Sequence, residues 1–188
     1  MRDYEIFIDE NPMGIDLTAA LAEMSEQRRE KVLAFRHEQG QKLSAAAYML
    51  LRKALKEVYG IDEKPEFEYS EHGKPSITGH EDIFFNLSHC RSTVACVVSS
   101  SPVGVDVEEI RDFRDALARH VLNEEEYAAV VASQLPAREF IRLWTMKESY
   151  LKLTGEGITR DLKTVLASAS DKHFFTRELA TSVLTVCY

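Results

Sequence analysis

In the segment GVDVEEI (104–110), Val105, Asp106, Val107 and Glu108 alternate between apolar and acidic residues. Because side chains alternate across a β-strand, the pattern predicts a strand whose valines face a core and whose two carboxylates share the other face, with Cβ atoms about 6.5–7 Å apart. Two such carboxylates can share one divalent cation, and Mg²⁺ commonly combines one or two carboxylates with substrate phosphate oxygens. A solvated face of an antiparallel strand has the same pattern, so both interpretations stay open at this point.

A second pair of charges lies in WTMKESYLK (144–152), within a predicted helix. Glu148 and Lys152 are four residues apart, which puts their Cβ atoms about 6 Å apart on one helix face. At a buried edge, Glu148 could serve as a third metal ligand or as a general base, and Lys152 could donate to an anionic oxygen. A surface salt bridge of little energetic value is the alternative.

A basic segment extends from residue 28 to residue 56, although the whole chain of 188 residues has a formal charge of −8. Eight cations stand against two acids there, a local charge of +6, which suits a small polyanionic ligand. Arg28 and Lys31 are three residues apart and share a helical face, but a solvated helix surface has the same composition. The negative total argues against a nucleic-acid binder, which needs a basic face.

Two short segments have the composition of ligand-binding edges. In EHGKP (71–75), a glycine permits close backbone approach and Lys74 supplies a positive charge, although the segment alone indicates only a turn. In FNLSH (85–89), Ser88 and His89 end a predicted strand. Adjacent strand side chains point to opposite faces, so these two residues cannot easily form a nucleophile pair with each other. A structural histidine is the alternative interpretation of His89.

Several common catalytic motifs are missing from the sequence. It has no GxxxxGK phosphate loop, its six histidines show neither HxxxH nor HExxH spacing, and the segment 155–157 lacks the third glycine of a dinucleotide-binding loop. The remaining combination of three acids, dispersed cations and a glycine turn indicates Mg²⁺-assisted chemistry on a diphosphate ligand.

The elements that must position these residues predict an α+β fold, because strands and helices are mixed without regular βαβ alternation. The predicted strands are 4–8, 66–69, 75–77, 83–87, 93–99, 103–108, 173–178 and 182–187, and the predicted helices are 16–35 (broken near 25), 39–58, 112–120, 124–132 and 137–153. The series of strand, helices and strands occurs twice, so we expect two similar halves, 1–101 and 102–188. No apolar run approaches the length of a membrane span, and the acidic start is unlike a signal peptide, so the expected location is cytoplasmic.

Four segments, taken in order, resemble a known enzyme family. They are HGKPSI (72–77), FNLSH (85–89), GVDVEEI (104–110) and WTMKESYLKLTGEGI (144–158). The resemblance is to the 4′-phosphopantetheinyl transferases of the surfactin-synthetase-activating type. It implies two similar α+β halves, related by a pseudo-twofold axis, with coenzyme A in the cleft between them. It also implies transfer of the phosphopantetheine arm of coenzyme A to a serine of an apo acyl or peptidyl carrier protein, with release of 3′,5′-ADP.

The same resemblance implies roles for particular residues. Asp106, Glu108 and Glu148 would hold Mg²⁺ or Mn²⁺. Glu148 would also deprotonate the carrier serine, directly or through water, and Lys152 would assist the leaving group. Coenzyme A would be held at its phosphates by Arg28, Lys31, Ser44, Ser88 and His89, and at its adenine by His72, Gly73, Lys74 and Pro75. Arginine at position 28, where lysine is common in the family, keeps the charge but changes the geometry toward phosphate.

Residues 110–122 would lie beside the carrier-binding surface in this family. Apolar residues (Phe113, Ala116, Leu117, Val121 and Leu122) alternate there with basic ones (Arg111, Arg114, Arg119 and His120). An amphipathic helix packed on the chain's own core is the alternative.

Two other functions stay open. A different Mg²⁺-dependent transferase of nucleotide diphosphates could use the same acids and cations. A non-catalytic module that binds coenzyme A or a carrier is the other, although the acids together with Lys152 argue against it. We expect a monomer, because two halves of one chain complete the cleft, with coenzyme A and a carrier protein as partners and neither nucleic acid nor membrane.

Overall fold

The computed structural model of the chain describes residues 3–157 and 161–188. The first half contains β1 (Tyr4–Asp9), α1 (Leu17–Ala22), α2 (Glu26–Leu33), α3 (Glu38–Ala54), β2 (Phe67–Tyr69), β3 (Pro75–Ile77), β4 (Phe84–His89) and β5 (Val94–Ser99). The second contains β6 (Gly104–Glu109), α4 (Asp115–Val121), α5 (Glu124–Ala132), α6 (Pro136–Thr154), α7 (Val165–Ser168), β7 (Phe174–Glu178) and β8 (Ser182–Cys187). The predicted α+β class is confirmed.

Local signals in the sequence account for most element boundaries. The Ser25 side chain caps α2 by accepting a hydrogen bond from the Arg28 N–H. Asn123 and Glu126 form a complete capping box at the start of α5. Helix α3 continues into a π-helical turn (Leu55–Tyr59) and stops at Gly60, which has a left-handed conformation with φ of 72°.

The two halves repeat one sheet topology. The first sheet has the strand order β1-β5-β4, and the second has β6-β8-β7, with every neighbouring pair antiparallel. In each sheet the last strand of the half is therefore central, and the first strand pairs with it across the intervening helices. The short β2–β3 hairpin is an addition to the first half.

A long helix covers each sheet. Helix α3 packs mainly on β5, and α6 packs on β6 and β8. The second contact is very close at Gly104, where a Cβ atom would lie only 2.0 Å from the Ser149 carbonyl oxygen and 2.5 Å from the Leu153 nitrogen. Glycine at position 104 is therefore a steric requirement for the packing of α6 on β6.

Side chains join the two sheets where their edge strands meet. The Asn86 Oδ1 of β4 accepts from the Val105 N–H of β6 at 2.9 Å, and the Ser88 Oγ accepts from the Val107 N–H at 3.2 Å. These bonds satisfy backbone donors that β6 turns away from β8. The junction brings the FNLSH segment beside the acidic strand.

The structure differs from the prediction mainly at helix ends. The helix predicted over 112–120 begins only at Asp115, because residues 110–114 are irregular and Arg114 occupies the capping position. Within the described ranges, no helix combines the length and apolar content needed to cross a bilayer.

Candidate active site

Asp106 lies on β6 at the centre of the site and is only 3% exposed. Its Oδ1 accepts from the Lys152 Nζ at 2.6 Å and from the Ser88 hydroxyl at 2.9 Å. Its Oδ2 is buried and has no hydrogen-bond partner among the described residues. The interpretation of this strand face as solvated is therefore wrong for Asp106, whose charge is balanced by a lysine from α6.

Glu108 and Glu148 lie close to Asp106. Burial, and then the negative charges of Asp106 and Glu148, raise the pKa of Glu108 to about 7, against the opposing influence of Arg111 and Lys152. Burial and then Asp106 also raise the pKa of Glu148. The Glu148 Oε1 is another buried oxygen without a partner among the described residues. Mutual repulsion of this kind is relieved when a cation lies between the acids.

The three acids do not form a ready-made cage. Over the part of the chain that the structure describes, no group of three or more His, Cys, Asp or Glu side chains has the geometry of a metal site. Lys152 reaches Asp106 rather than Glu148, its neighbour four residues back on α6. The two unpartnered oxygens of Asp106 and Glu148 nevertheless fit a hard divalent cation, which prefers carboxylate oxygen.

Ser88 already uses its full hydrogen-bonding capacity within the protein. Its hydroxyl donates to Asp106 and accepts from both Lys152 (2.9 Å) and the Val107 N–H. His89 is the next residue of β4, at the exposed end of the strand. Partial desolvation, and then the charges of Lys152 and Arg28, lower the pKa of His89. His89 therefore lies in a positive environment shared by both halves.

Arg28 is a buried cation on the first-half side. One guanidinium nitrogen donates to both the Ser44 carbonyl and the Ser44 hydroxyl, each at 2.8 Å, and the group lies 5.7 Å from the centre of the Tyr48 ring. Its Nε is buried without a hydrogen-bond partner among the described residues. Desolvation lowers the pKa of Arg28. A buried cation held by neutral groups is a favourable place for an anionic ligand.

Lys31 lies on the surface, one helical turn after Arg28. Its Nζ donates to the Tyr69 hydroxyl at 3.0 Å and lies 4.2 Å from the centre of that ring. The charge is thereby held beside β2 and close to the hairpin that bears residues 72–75.

The β2–β3 hairpin faces the end of α6 across a cleft. The Lys74 Nζ donates to the Leu153 carbonyl of α6 at 2.7 Å, and burial lowers the pKa of this lysine. Gly73 forms the turn with φ of 79°. The cleft is lined by both halves: His72, Gly73, Lys74, Pro75, Asn86, Leu87, Glu148, Leu151, Lys152, Gly155 and Gly157. It thus connects the predicted adenine edge with the predicted catalytic helix.

The surface predicted over residues 110–122 is split by the fold. Val121 and Leu122 belong to the core, with exposures of 1% and 2%, so the expectation that they help to form a docking surface is wrong. Arg119 is held by Asp115 and by the Tyr127 hydroxyl on another side of α4. A second group lines a groove next to Glu108: Arg111, Arg114, Leu117, Phe140, Ile141 and Trp144.

Two features of the site were not predicted from the sequence. Lys147 is completely buried, and its Nζ donates to Glu126 and to the Leu162 carbonyl, each at 2.8 Å. Asn86 lies in the FNLSH segment (85–89), but the sequence indicated no role for it. The capping pattern around Glu126 was visible, whereas its pairing with Lys147 depends on how α5 packs on α6.

The fold and the site together define an enzyme class. Two related halves enclose a cleft, with cations on one side and buried acids beside a lysine on the other, as an enzyme acting on an anionic ligand requires. A family model for the N-terminal part of 4′-phosphopantetheinyl transferases matches residues 10–102, and a model for the 4′-phosphopantetheinyl transferase superfamily matches residues 102–187. The chain belongs to the 4′-phosphopantetheinyl transferase superfamily and is a transferase of the Sfp type.

Curated relatives agree with this assignment. The chain is 29% identical over 182 residues to a 4′-phosphopantetheinyl transferase of Bacillus subtilis, covering 95% of this chain and 81% of that protein. It is 28% identical over 165 residues to the transferase Sfp of B. subtilis strain 168, with coverages of 86% and 74%. The identity to the transferase AcpT of Salmonella typhi is 37% over 116 residues, with coverages of 58% and 57%.

Proposed function

We propose that the chain transfers the 4′-phosphopantetheine arm of coenzyme A to a serine of an apo acyl or peptidyl carrier protein. The serine oxygen forms a bond to the β-phosphorus, the bond from that phosphorus to the bridging oxygen breaks, and 3′,5′-ADP leaves with the bridging oxygen. The serine proton passes to a base. The observation that carries the proposal is the set of unpartnered buried carboxylate oxygens of Asp106 and Glu148 beside Lys152, at the cleft between the halves.

Asp106, Glu108 and Glu148 are the proposed ligands of Mg²⁺ or Mn²⁺. Burial, and then repulsion between the acids, raise the pKa values of Glu108 and Glu148, and the repulsion supports this set, as do the two unpartnered oxygens. When bound, the cation would neutralise charge on the diphosphate. Asp106 would remain anchored by Ser88, so its position would not depend on the ligand.

Glu148 and Lys152 are the proposed catalytic residues. Glu148 lines the cleft, and its Oε1 has no hydrogen-bond partner among the described residues, so the carboxylate would be placed to take the serine proton, directly or through water. Because a bound cation would lower the pKa of this group, Glu148 would act through its position more than through its basicity. The Lys152 ammonium would move from Asp106 toward the phosphate oxygen on which negative charge develops. Lys152 is partly exposed, with 29% of its side chain accessible, which leaves it room for that movement.

The first half is the proposed binding side for coenzyme A. Arg28, Lys31, Ser44 and His89 would hold phosphate oxygens, and the buried Arg28 guanidinium, whose hydrogen bonds go to neutral groups of Ser44, supports an anion there. The predicted contact of Ser88 with a phosphate would require its hydroxyl to turn away from Asp106. Residues 72–75 would border the adenine along the cleft. We propose the corresponding division of the chain into residues 1–101 and 102–188.

The groove beside Glu108 is the proposed docking surface for the carrier. It combines apolar walls with two arginines, Arg111 and Arg114, and with three acids, Glu108, Glu109 and Asp112. Arg111 lies 3.9 Å from Glu109, so Arg114 is the cation that we assign to the carrier, which is usually acidic. Reversing the charge with Arg114→Glu should raise the KM for the carrier several-fold and leave the KM for coenzyme A unchanged. Arg119→Glu is the matched control on the same helix, because Arg119 is held away from the groove by Asp115 and Tyr127. Equal KM values for all three proteins would contradict this surface.

We propose that the enzyme acts as a monomer in the cytoplasm, without nucleic acid or membrane as a partner. Both sides of the cleft come from one chain, which supports a monomer. The formal charge of −8 supports the exclusion of nucleic acid. The family matches favour carrier modification over a non-catalytic module and over another transferase of nucleotide diphosphates.

The direct test is to incubate the protein with Mg²⁺, coenzyme A and several apo carrier proteins and to weigh the carriers by mass spectrometry. We expect a gain of one phosphopantetheine that is lost with EDTA and with Asp106→Ala. If no carrier gains mass while coenzyme A still binds, a non-catalytic module is the better description. Absence of coenzyme A binding would refute both descriptions.

A further inference from the structure

The junction between the two sheets has an unusual construction. Strands β4 and β6 are edge strands of separate sheets, and each pairs through its backbone with a strand of its own half. Exposed edge strands tend to pair with any available strand, so proteins usually cover them. Here β4 covers β6 with side chains rather than with a backbone ladder.

Two β4 side chains match two β6 backbone groups at the same spacing. Asn86 accepts from the Val105 N–H at 2.9 Å, and Ser88 accepts from the Val107 N–H at 3.2 Å. Both side chains are buried, at 7% and 6% exposure. Since the two N–H groups flank Asp106, the pair fixes the backbone on each side of the carboxylate that the proposed chemistry needs most.

The two side chains do not contribute in the same way. Ser88 divides its hydroxyl among Val107, Asp106 and Lys152, so a change at Ser88 would alter all three contacts. The Asn86 carbonyl oxygen accepts from the β6 backbone, and among the described residues the side chain makes no hydrogen bond to a charged group. Asn86 also lines the cleft, so the effect of a change there on the KM for coenzyme A must be measured beside its effect on the placement of β6.

We infer that Asn86 is a positioning residue that sets the place of Asp106 relative to the coenzyme A side of the cleft. The inference rests on the proposed function, because it assigns Asp106 to the metal and the diphosphate. Without the acceptor, the buried Val105 N–H loses its partner, and β6 loses one of its two side-chain bonds to β4. The position of β6 relative to β4 can then shift. A displacement of about 1 Å in such a site can lower a rate about 100-fold, and lost support of a metal ligand typically weakens metal binding about 10- to 100-fold.

The structure itself suggests the variants. Asn86→Ala removes the acceptor. Asn86→Ser restores one, because the hydroxyl of Ser88, two residues along the same strand, already makes the equivalent contact with Val107. Thr93→Val is the stability control. It removes another buried hydrogen bond between the halves, from Thr93 to Ser182 at 3.1 Å, and Ser182 lies three strand positions, or about 10 Å, from the residue that pairs with Asp106.

The test measures Mn²⁺ binding by electron paramagnetic resonance, with and without coenzyme A, together with kcat, the two KM values and the melting temperature. We expect Asn86→Ala to weaken Mn²⁺ binding about tenfold and to lower kcat 10- to 100-fold. Asn86→Ser should recover most of both losses. Thr93→Val should lower the melting temperature by a similar amount and leave Mn²⁺ binding and kcat within about twofold of the starting protein.

Three results would overturn the inference. One is unchanged Mn²⁺ binding in Asn86→Ala with a raised KM for coenzyme A, which would make Asn86 a direct ligand of coenzyme A. The second is a serine variant as impaired as the alanine variant, and the third is an equal loss in Thr93→Val. Failure of the proposed function would give a different result. If no carrier is modified but Asn86→Ala still binds Mn²⁺ more weakly than the starting protein, Asn86→Ser and Thr93→Val, the transfer reaction is refuted and the positioning role of Asn86 remains supported.

Discussion

The two halves have the same sheet topology and a long helix on each sheet, but the two long helices make contacts of different polarity. In the first half, α3 packs on β5, and both belong to one apolar core that contains Ala45–Ala47 of α3 and Val94, Cys96 and Val98 of β5. In the second half, α6 brings polar groups to its sheet and to α5: the Thr145 hydroxyl contacts the Thr185 hydroxyl of β8 at 2.8 Å, Lys152 pairs with Asp106 of β6, and the buried Lys147 pairs with Glu126 of α5.

This difference separates the contacts that stabilise the fold from the contacts that place charged groups at the candidate active site. An apolar helix–sheet contact stabilises the first half, and the cations proposed to bind coenzyme A, Arg28 and Lys31, lie on α2 rather than at this contact. The second half keeps Asp106 buried, which is costly unless a partner compensates the charge. Lys152 from α6 and Ser88 from the other half provide that compensation. Under the proposed function, one scaffold would serve for ligand binding in one half and for charge placement in the other.

Substitution of Asp106 is expected to have the largest effect on activity. Asp106→Asn keeps the volume and the contact with Ser88 but removes the charge, so we expect the rate of carrier modification to fall about 10²–10³-fold. Initial rates by mass spectrometry, with a melting curve for each protein, measure this. If the Asp106→Asn variant keeps its melting temperature and its rate stays within tenfold of that of the starting protein, the acids of the second half do not carry the chemistry.

The buried lysine of α6 tests the stability side of the comparison. Lys147→Met leaves the Glu126 carboxylate without its partner in a nearly dry site, at a cost of about 3–5 kcal/mol. The first half offers a matched control, because Lys53 on α3 is 59% exposed and its ion pair with Glu57 is worth little. In urea denaturation, Lys147→Met should therefore unfold at a lower urea concentration than Lys53→Met. Equal unfolding midpoints for the two variants would contradict the structural role of Lys147.

Glycine substitutions probe the two helix–sheet contacts. Gly104→Ala places a methyl group against the α6 backbone, so we expect a loss at or above the upper end of about 1–3 kcal/mol. Gly40→Ala on α3 would meet only the Phe35 side chain, which is 42% exposed and can move, and alanine favours the helix by about 1 kcal/mol. Thermal melting should show a destabilised Gly104 variant and a Gly40 variant that is unchanged or more stable. A tolerated Gly104→Ala would mean that the close approach is not required.

Much of this architecture was predictable from periodicity. Alternating valines predicted β6, and the helices predicted over 39–58 and 137–153 correspond to α3 and α6. The predicted neighbours Glu148 and Lys152 do share a helix, but the partner of Lys152 is Asp106, because the packing of α6 on β6 decides which charges meet. Similarly, no local pattern shows that Asn86 and Ser88 face β6, since that contact depends on how the halves dock.

The position of residue 122 illustrates the same limit. An amphipathic pattern over 110–122 indicates one apolar face but does not say whether that face covers the chain's own core or a partner. The structure divides it, with Val121 and Leu122 in the core and Leu117, at 38% exposure, on the groove.

Substitution of Arg28 has the smallest expected effect. It tests the comparison between the two halves most directly, because a change in the first half should alter the binding of coenzyme A rather than kcat. Removing its charge with Arg28→Ala should raise the KM for coenzyme A about 10- to 100-fold, the range for a hydrogen bond to a charged group, with little change in kcat. The family resemblance implies that Arg28 belongs to the 3′-phosphate site. Dephospho-coenzyme A, which lacks the 3′-phosphate, should therefore be used by the variant and the starting protein with similar KM values. Arg29→Ala, a change at the next and exposed residue of α2, is the control. If Arg28→Ala lowers kcat for both substrates, the basic half contributes to the chemical step, and the separation between the two halves would have to be abandoned.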